Sequence, residues 1–363
     1  MALILTFLGK SSTDRTKIAI AAAKQLASLR KRVLLASQDT SPAFGLLIGT
    51  TPSLDPQELT ANLEVVQLQS STLLERSWEE VKKLEAQYLR TPILKEVYGQ
   101  EMMVLPGMDN ALILNALREY DASGKYDVIV YDGTGDSSTL RMLGMAESLS
   151  WYIRRFSKLL ADSDLGKTVS PFIQPIISTV LNVSWTSDSF SQPTSKVNNL
   201  LEQGRAALAD PKRVAAYLVT TEDPVDIATA RYLWGNAQQV GLTVGGVILS
   251  SGTAETVAAE FSPLPVNVVP TSSIDNWQPL IDALPDFAQA GKAPKPIEID
   301  VSTAQVRLFL PGFDKKQVKL TQSGPEVTIE AGDQRRNILL PSALSGRQIK
   351  GAKFQNSYLT ISF

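Results

Sequence analysis

A polar stretch with a single glycine follows the first apolar segment of the chain. The stretch reads FLGKSSTDRTK and covers residues 7–17. A phosphate-binding loop uses glycines to turn consecutive N–H groups toward the anion, a lysine to neutralise its charge and a Ser or Thr hydroxyl to hold magnesium. Asp14 and Arg15 stand where the second glycine and the lysine are expected. Because the same residue types favour an ordinary helix N-cap, the stretch alone fits a modified phosphate loop or a polar turn.

Two carboxylates follow apolar segments elsewhere in the chain. Asp39 comes after KRVLLASQ, and Asp132 comes after DVIVY. An aspartate at such a place either starts a turn or belongs to a site. Because parallel strands end at one edge of a sheet, both carboxylates would meet the loop there if these segments are strands of one parallel sheet.

The residue types that are missing limit the chemistry. The 363 residues include no His and no Cys, with 35 Lys and Arg against 37 Asp and Glu. Disulfides and thiolate metal sites are excluded, zinc is not expected, and acid–base chemistry must use carboxylates, lysines, tyrosines or positioned water. The balanced charge predicts no nucleic-acid partner.

Hydropathy gives no sign of a membrane segment or a leader. The opening MALILTFLG lacks a basic start and a small-residue cleavage site, so we interpret it as a buried strand. Apolar stretches stay below the roughly 18 to 20 residues that span a bilayer. The prediction is a cytoplasmic protein without an integral membrane segment.

The first four fifths of the chain have the pattern of an α/β domain. A strand over residues 2–8, the polar loop, a helix with apolar residues at helical spacing and a strand ending near Asp39 form a crossover unit with a parallel sheet. Further apolar strands are YDVIVYDG, RVAAYLVT, LTVGGVILS and LPVNVV. Helical insertions are predicted at about 53–120 and 145–208, within a domain covering 1–290.

The pattern changes after AGKAPKPIEID. Short runs with two-residue alternation and frequent turns continue to the last residue, as in QVRLFLPG, EVTIEAG and YLTISF. This predicts a small antiparallel β-sandwich over 291–363. The expected fold class is therefore α/β, with a mostly parallel sheet and helical insertions, followed by a small all-β domain.

Several motifs together resemble the arsenical-pump and tail-anchored-protein-targeting ATPases. These motifs are FLGKSSTDRTKIAIAAAKQLA, RVLLASQDTSPAFG, LPGMDNALILNALRE and YDVIVYDGTGDSSTLR. In that family the loop reads GKGGVGKTT and the two switches read DPAHS and DTAPTGHTLR. The second switch matches DGTGDSSTLR in length and in its final TLR. The tail, with LPGF, GDQRRNILLP and AKFQNSYLTI, resembles a small heat-shock (α-crystallin) domain.

The resemblance implies an ATP- and magnesium-binding P-loop NTPase of the signature-lysine class, and it assigns roles by position. Lys10 is the signature lysine, which reaches phosphates across a homodimer, and Asp39 positions the attacking water. Magnesium would be held by Thr16 directly and by Asp132 through water. The implied nucleotide-binding positions are Gly9, Lys10, Ser11, Ser12, Thr13, Asp14, Arg15, Thr16 and, for the base, Ser250. Each of these residues also has a structural explanation: Lys10 as a solvated side chain, and Asp39 and Asp132 as turn residues.

Departures from the family pattern make hydrolysis doubtful. Asp14 places a carboxylate among N–H groups meant for phosphate, and two like charges about 4 Å apart repel by several kcal/mol in a surface cleft. Arg15 is a planar fork in place of a compact ammonium. Such a site would keep nucleotide only if the loop rearranges, for example with an ion pair between Asp14 and Arg15 or Lys10.

Three functions are consistent with these observations. The first is an ATP-linked chaperone or carrier of apolar protein clients with a degenerate loop, in which residues 171–185 and Met102, Met103 and Met108 contribute an apolar surface or belong to the core. The second is a nucleotide-free pseudo-ATPase that acts as a protein-interaction scaffold. The third is a partition-type ATPase that acts at a membrane or on DNA, although such proteins lack the β-sandwich.

Overall fold

The fold is an eight-stranded, mostly parallel sheet with helices, followed by two small antiparallel sheets. It is described by a computed structural model covering residues 1–88, 96–161, 195–271 and 276–363. The large sheet has the order β3-β4-β2-β5-β1-β6-β7-β8, with only β3 antiparallel to its neighbour. Its strands are Leu3–Leu8 (β1), Val33–Ser37 (β2), Gln57–Thr60 (β3), Leu63–Gln67 (β4), Val128–Asp132 (β5), Val214–Thr220 (β6), Thr243–Leu249 (β7) and Val266–Val268 (β8). The predicted fold class is confirmed.

Apolar residues on both faces of the strands explain why this sheet lies inside the domain. In β5, Val128 and Val130 pack in one core cluster while Ile129 and Tyr131 pack in another. Successive side chains of a strand point to opposite faces, so helices cover the sheet on both sides. The strands β1, β2 and β5 are adjacent, and their carboxyl ends bring the loop, Asp39 and Asp132 to one edge.

The helices cover the sheet and connect its strands. They are Ser12–Ser28 (α1), Pro42–Ile48 (α2), Ser70–Tyr88 (α3), Met108–Ala122 (α4), Ser137–Leu143 (α5), Met145–Ala161 (α6), Ser195–Ala209 (α7), Pro224–Val240 (α8), Ala254–Phe261 (α9) and Gln278–Ala283 (α10). Within the described ranges, no helix is long and apolar enough to cross a bilayer.

The helical insertion predicted from residue 53 begins too early. Residues 57–67 form β3 and β4, which extend the sheet beyond β2. Leu63, Val65 and Val66 are buried, and this short apolar run fits a strand at the sheet better than a helix because both faces of β4 are covered. Helices α3 and α4 occupy much of the later part. Of the insertion predicted at 145–208, α6 and α7 are seen, and 162–194 lie outside the described residues.

The C-terminal residues form two antiparallel sheets around their own core. One has the order β14-β15-β10-β9 and the other β11-β12-β13. The strands are Ile297–Asp300 (β9), Gln305–Phe309 (β10), Val318–Ser323 (β11), Glu326–Ala331 (β12), Gln334–Leu339 (β13), Gly351–Gln355 (β14) and Tyr358–Ser362 (β15). Burial alternates along β12 and β15, as predicted for a sandwich.

Helix α8 carries the contact between the two domains. Its Trp234 is buried, with its ring centroid 5.4 Å from that of Phe309 in β10. Tyr232 packs edge-to-face on Phe313, and a Cβ at Gly235 would lie 2.4 Å from the carbonyl oxygen of Pro311. Only glycine permits this close approach, so the sandwich packs directly against the backbone of α8.

Candidate functional site

The loop after β1 is short because α1 begins early. Only Gly9, Lys10 and Ser11 separate β1 from α1, and the hydroxyl of Ser11 caps the helix by accepting a hydrogen bond from the Asp14 N–H at 3.3 Å. Ser12 and Thr13 lie exposed in the first turn. An acidic side chain in the first turn of a helix is favourable to its dipole. Asp14 therefore suits a helix start that has no bound anion.

The one glycine of the loop is required by packing against the next strand. A Cβ at Gly9 would lie 2.2 Å from the carbonyl oxygen of Val219 in β6. The N–H of Gly9 donates to the carbonyl of Gly135 at 2.9 Å. Gly9 thus holds the loop against β6 and the turn after β5, and this role explains the residue without a phosphate.

Arg15 lies under the loop and fills the space between it and the turn after β5. Its side chain is only 4% exposed. Nη1 donates to the carbonyl of Gly9 and Nη2 to that of Thr134, both at 2.5 Å. Desolvation lowers the pKa of Arg15. The turn must also have glycine at 135, since a Cβ there would lie 2.1 Å from Arg15 Nε.

The ion pair predicted between Asp14 and Arg15 or Lys10 is wrong. The guanidinium of Arg15 binds carbonyl oxygens, and the carboxylates that act on it are Asp132 and Asp136. The Nζ of Lys10 lies 3.6 Å from a carboxylate oxygen of Asp226 in α8. The helical position of Asp14 explains the difference, because residue 14 belongs to the first turn of α1 whereas Arg15 points back beneath it.

Asp132 is the centre of a buried polar cluster at the end of β5. The hydroxyl of Thr16 donates to its two carboxylate oxygens at 3.0 and 3.2 Å, and the hydroxyl of Ser37 donates at 2.9 Å. Burial raises the pKa of Asp132 to about 6, although both hydroxyls and Arg15 oppose the shift. Thr16 and Asp132, which the resemblance assigns to one magnesium position, are therefore in direct contact.

Asp39 lies at the start of the loop between β2 and α2. Its carboxylate accepts a hydrogen bond from the N–H of Ser41 at 2.8 Å, and its own N–H donates to Ser37 at 3.2 Å. Gln67 donates to the Asp39 carbonyl at 2.8 Å. These contacts form a local turn, which is the structural role expected of an aspartate there. The charge of Asp39 still acts on Asp132, so the two carboxylates lie at the same edge.

The turn that follows β5 is fixed by its own side chains. Asp136 caps α5 by accepting from the N–H groups of Ser138 and Thr139, and Thr139 accepts from the N–H of Gly135 at 3.0 Å. Ser138 accepts a hydrogen bond from Asn110 of α4 at 3.0 Å. The equivalent of the second switch is therefore tied to α4, α5 and the loop.

Ser250 lies further along the sheet edge. It follows β7, which is separated from β1 by β6. Both its N–H and its hydroxyl donate to the carbonyl of Thr220, at 2.9 and 3.3 Å. Its hydroxyl therefore closes the gap between β6 and β7, and nothing in these contacts singles it out as a base-reading group.

The residues present fit one part of a magnesium–nucleotide site and do not fit the other. Thr16 and Asp132 converge as a magnesium position requires. A triphosphate does not fit, because the guanidinium of Arg15 lies beneath the loop and donates to the backbone carbonyls of Gly9 and Thr134. No group of three or more acidic, His or Cys side chains suited to a metal ion is found among the residues that the structure describes.

Three contacts of the site are not evident from the sequence. Ser37 binds Asp132, Thr134 provides a carbonyl to Arg15, and Asp226 faces Lys10. Ser37 has a detectable signal, because it is a polar residue at the end of an apolar strand beside Asp39. The other two depend on the order of the strands, which places the turn after β5 and the start of α8 next to β1.

The three methionines, for which the sequence leaves an apolar surface or the core open, divide between the two. Met108 is buried with Leu74 and Leu112, and Met102 packs against the same cluster. Met103 is 83% exposed. The packing of α3 against α4 therefore takes two of the three methionines into a core, which is the second of these alternatives. Residues 171–185 lie outside the described residues.

Comparison with known proteins gives matches over both domains. A family model described as anion-transporting ATPase matches residues 2–262, and one described as HSP20-like domain found in ArsA matches 302–363. A putative arsenical pump-driving ATPase of Chlorobaculum tepidum is 24% identical, with 99% of this chain and 95% of the relative aligned.

Two further relatives are similar to this chain. Putative arsenical pump-driving ATPase 1 of Aquifex aeolicus is 21% identical, with 99% of each chain covered. An ATPase ASNA1 homolog of Entamoeba dispar is 22% identical over 50% of this chain and 54% of its own length. With more than half of its residues inside the family model, the chain belongs to the anion-transporting ATPase family and carries the HSP20-like domain found in ArsA.

Proposed function

We propose that this protein is a nucleotide-independent member of its family that acts as a protein-binding scaffold. The observation that carries the proposal is the position of Arg15. A guanidinium buried beneath the loop donates to the carbonyls of Gly9 and Thr134, and so links the loop to the turn after β5 without any ligand. In this arrangement the protein supplies from its own chain a contact between the two segments.

Binding a triphosphate would require this arrangement to be broken. Moving Arg15 would leave the buried Gly9 carbonyl without this partner, at about 1–3 kcal/mol, and would also remove the hydrogen bond to the carbonyl of the exposed Thr134. The carboxylate of Asp14, in the first turn of α1, would then repel the incoming phosphates. Both effects oppose nucleotide, and neither is compensated by a glycine-rich backbone, since Gly9 is held by β6.

An exposed apolar segment supports the binding of a protein partner. Val97, Tyr98, Met103 and Leu105 expose large apolar side chains within nine residues of the chain. Clusters of this kind on a surface commonly mark interaction sites. Methionine adapts its shape to different apolar partners. The HSP20-like domain is consistent with the same chaperone role, and the client we propose is an apolar segment of another protein.

A second candidate is the ATP-linked carrier, favoured by one specific observation. Thr16 and Asp132 remain in hydrogen-bond contact at the end of β5, the arrangement that a magnesium–nucleotide site would use. Under this hypothesis Arg15 leaves the carbonyls when ATP and magnesium bind. A homodimer is proposed under both, because Lys10 is exposed enough to reach a second copy.

Client capture in the presence and absence of nucleotide tests the scaffold. An immobilised apolar peptide should retain the full chain equally with no nucleotide and with ATP and magnesium. The Met103→Glu, Leu105→Glu double variant should lose retention, while Val301→Glu, at an exposed apolar position of the sandwich, should keep it. Retention that appears only with ATP would favour the carrier, and no retention above a control protein would contradict both.

A further inference from the structure

A cavity of about 320 Å³ lies between the α/β domain and the β-sandwich. We call it the interdomain cavity. Its walls come from the end of α5, the start of α6, α7, the end of α8 and β13 of the sandwich. The lining residues that carry hydrogen-bonding or charged side chains are Arg141, Glu147, Ser148, Glu202, Arg205, Gln239, Gln334, Arg335 and Arg336. It contains no residue of the loop after β1.

The arginines that line the interdomain cavity are not equivalent. Arg141 pairs with Asp333, Arg335 pairs with Glu330 at 2.8 Å, and Arg205 pairs with Glu147 at 2.5 Å. Among the described residues Arg336 has no carboxylate within ion-pair distance, and its hydrogen bond runs from Nη1 to the carbonyl of Gln238 at 2.9 Å. Most of its five N–H donors are thus available to a ligand.

Arg336 is also partly withdrawn from water. Burial lowers its pKa to about 10, the attraction of Glu147 raises it and the repulsion of Arg205 lowers it further. A guanidinium that is partly withdrawn from water and has no ion-pair partner among the described residues is energetically unfavourable. An anion beside it would supply the missing charge and hydrogen bonds.

Two buried amides of the cavity have no hydrogen-bond partner among the described residues. Gln239, 2% exposed at the end of α8, lacks a partner for both Nε2 and Oε1. Gln334, 9% exposed at the start of β13, lacks one for Nε2. Leaving a buried polar group unsatisfied costs about 1–3 kcal/mol, and such groups are rare in folded proteins. Gln239 of α8 and Gln334 of β13 line the same cavity from the two domains, and this indicates a polar ligand that both amides can reach.

We propose that the interdomain cavity binds a small phosphate-bearing anion, inorganic phosphate or a phosphate monoester. Arg336 would donate to the phosphate oxygens from β13, and the amides of Gln239 and Gln334 would donate from the two walls. Arginine matches the geometry of phosphate oxygens with paired N–H groups. The volume is at the lower end of the range for small-molecule sites. Because the ligand contacts α8 and β13, it joins the two domains.

Equilibrium dialysis of the full chain against labelled inorganic phosphate tests the proposal, with ionic strength held constant by chloride. The native protein should bind one phosphate saturably. Arg336→Gln should weaken binding about tenfold or more, as expected for a lost charge-assisted hydrogen bond. Arg347→Gln, an exposed arginine of the sandwich away from the cavity, should leave it unchanged. Glycerol 2-phosphate is tested in parallel as the monoester.

Two more variants separate this site from the loop. Gln239→Leu should also weaken binding, and it serves if Arg336→Gln does not fold. Arg15→Lys should leave phosphate binding unchanged, because Arg15 does not line the cavity. The proposal is overturned if neither phosphate nor the monoester binds saturably, or if binding survives Arg336→Gln and Gln239→Leu. Loss of binding in Arg15→Lys alone would place the anion at the loop and also overturn it.

Discussion

The two partly or fully buried arginines Arg15 and Arg336 face opposite situations. Arg15 donates from both terminal nitrogens to backbone carbonyls and lies within the influence of Asp132 and Asp136. Arg336 donates one hydrogen bond, to a carbonyl at the end of α8, and opens on a cavity with unsatisfied amides. Both terminal nitrogens of Arg15 are thus bound within its own chain, although its buried Nε has no hydrogen-bond partner among the described residues, whereas the amides beside Arg336 keep unpaired polar atoms.

A charged residue at the lysine position of a phosphate loop therefore does not by itself show that the loop can bind phosphate. An arginine at the lysine position of a phosphate loop keeps the charge, but its fork is long enough to bridge two segments of backbone. Once both terminal nitrogens of the arginine donate to backbone carbonyls, the N–H groups used there are no longer available to a ligand. Binding capacity then has to be sought where hydrogen-bond donors lack partners.

The largest effect is expected for Gly9→Ala, which tests whether the closed site depends on packing. The added Cβ would lie 2.2 Å from the Val219 carbonyl oxygen, and relief requires a shift of the backbone. We expect a loss of about 4 kcal/mol in the free energy of unfolding, from overpacking and displacement of the Gly9 bonds. Urea denaturation measures it. Gly346→Ala, where the added Cβ would meet no atom within 4 Å, should change stability little.

The pair Arg15→Met and Arg336→Met tests the comparison itself. Arg15→Met leaves the carbonyls of Gly9 and Thr134 unpaired and should lower the free energy of unfolding by about 3 kcal/mol. Arg336→Met removes one hydrogen bond along with a partly buried charge that has no ion-pair partner among the described residues, and should lower the free energy of unfolding by less than about 1 kcal/mol in phosphate-free buffer. Equal losses in urea denaturation would show that the two arginines are not different in kind.

Asp132→Asn gives a smaller change with a pH dependence. The pKa of Asp132 is raised from 3.8 to about 6, so the folded protein binds the proton more tightly and its stability rises as the pH falls from above 6 toward 4. Such a shift corresponds to about 3 kcal/mol at pH 8. We expect Asp132→Asn to gain about 2 kcal/mol at pH 8, because asparagine recovers only part of the hydrogen bonds.

The control for this prediction is the same comparison of the native protein and Asp132→Asn at low pH. The gain should disappear near pH 4 in urea denaturation with a chelator present, since both forms of the protein are then uncharged at position 132 in the folded state. A gain that is constant from pH 4 to pH 8 would contradict a buried, hard-to-ionise carboxylate at the end of β5.

The smallest effect is expected for Lys10→Ala. Its Nζ lies 3.6 Å from Asp226 with 58% of the lysine side chain exposed, and exposed ion pairs contribute roughly 0–1 kcal/mol. The melting temperature should change by no more than about a degree at a chain of this size. A large loss of thermal stability would show that Lys10 takes part in the contacts around Arg15. This would contradict the description of Lys10 as an exposed, weakly paired side chain.

Most of the fold can be predicted from the sequence because the patterns that indicate its strands and helices are local. The parallel strands are continuous apolar runs such as those of β5 and β6, and the alternation from β10 onward marks the sandwich. Residues 57–67 are misassigned because β4 is a short buried run, which periodicity does not distinguish from a helix segment. Its pairing with β2 is a long-range contact.

The candidate site can be predicted from the sequence only in part. The resemblance to the family assigns Thr16 and Asp132 to one magnesium position, and the two side chains are in hydrogen-bond contact. The position of Arg15 is not predictable in this way, because its partners are main-chain carbonyls of Gly9 and Thr134, and backbone acceptors leave no trace in residue types. The unpaired amides of Gln239 and Gln334 depend on how two domains meet, which no single motif encodes.

Titration calorimetry of the full native chain with ATP and magnesium measures whether the loop around Arg15 binds nucleotide, with the Asp14→Gly, Arg15→Lys double variant as the matched comparison. The contacts of Arg15 with the carbonyls of Gly9 and Thr134 predict no heat of binding for the native chain at millimolar ATP, and binding in the double variant would show that the loop itself can still bind nucleotide. Saturable ATP binding by the native chain would show that these contacts do not exclude nucleotide and would contradict the proposed nucleotide-independent function.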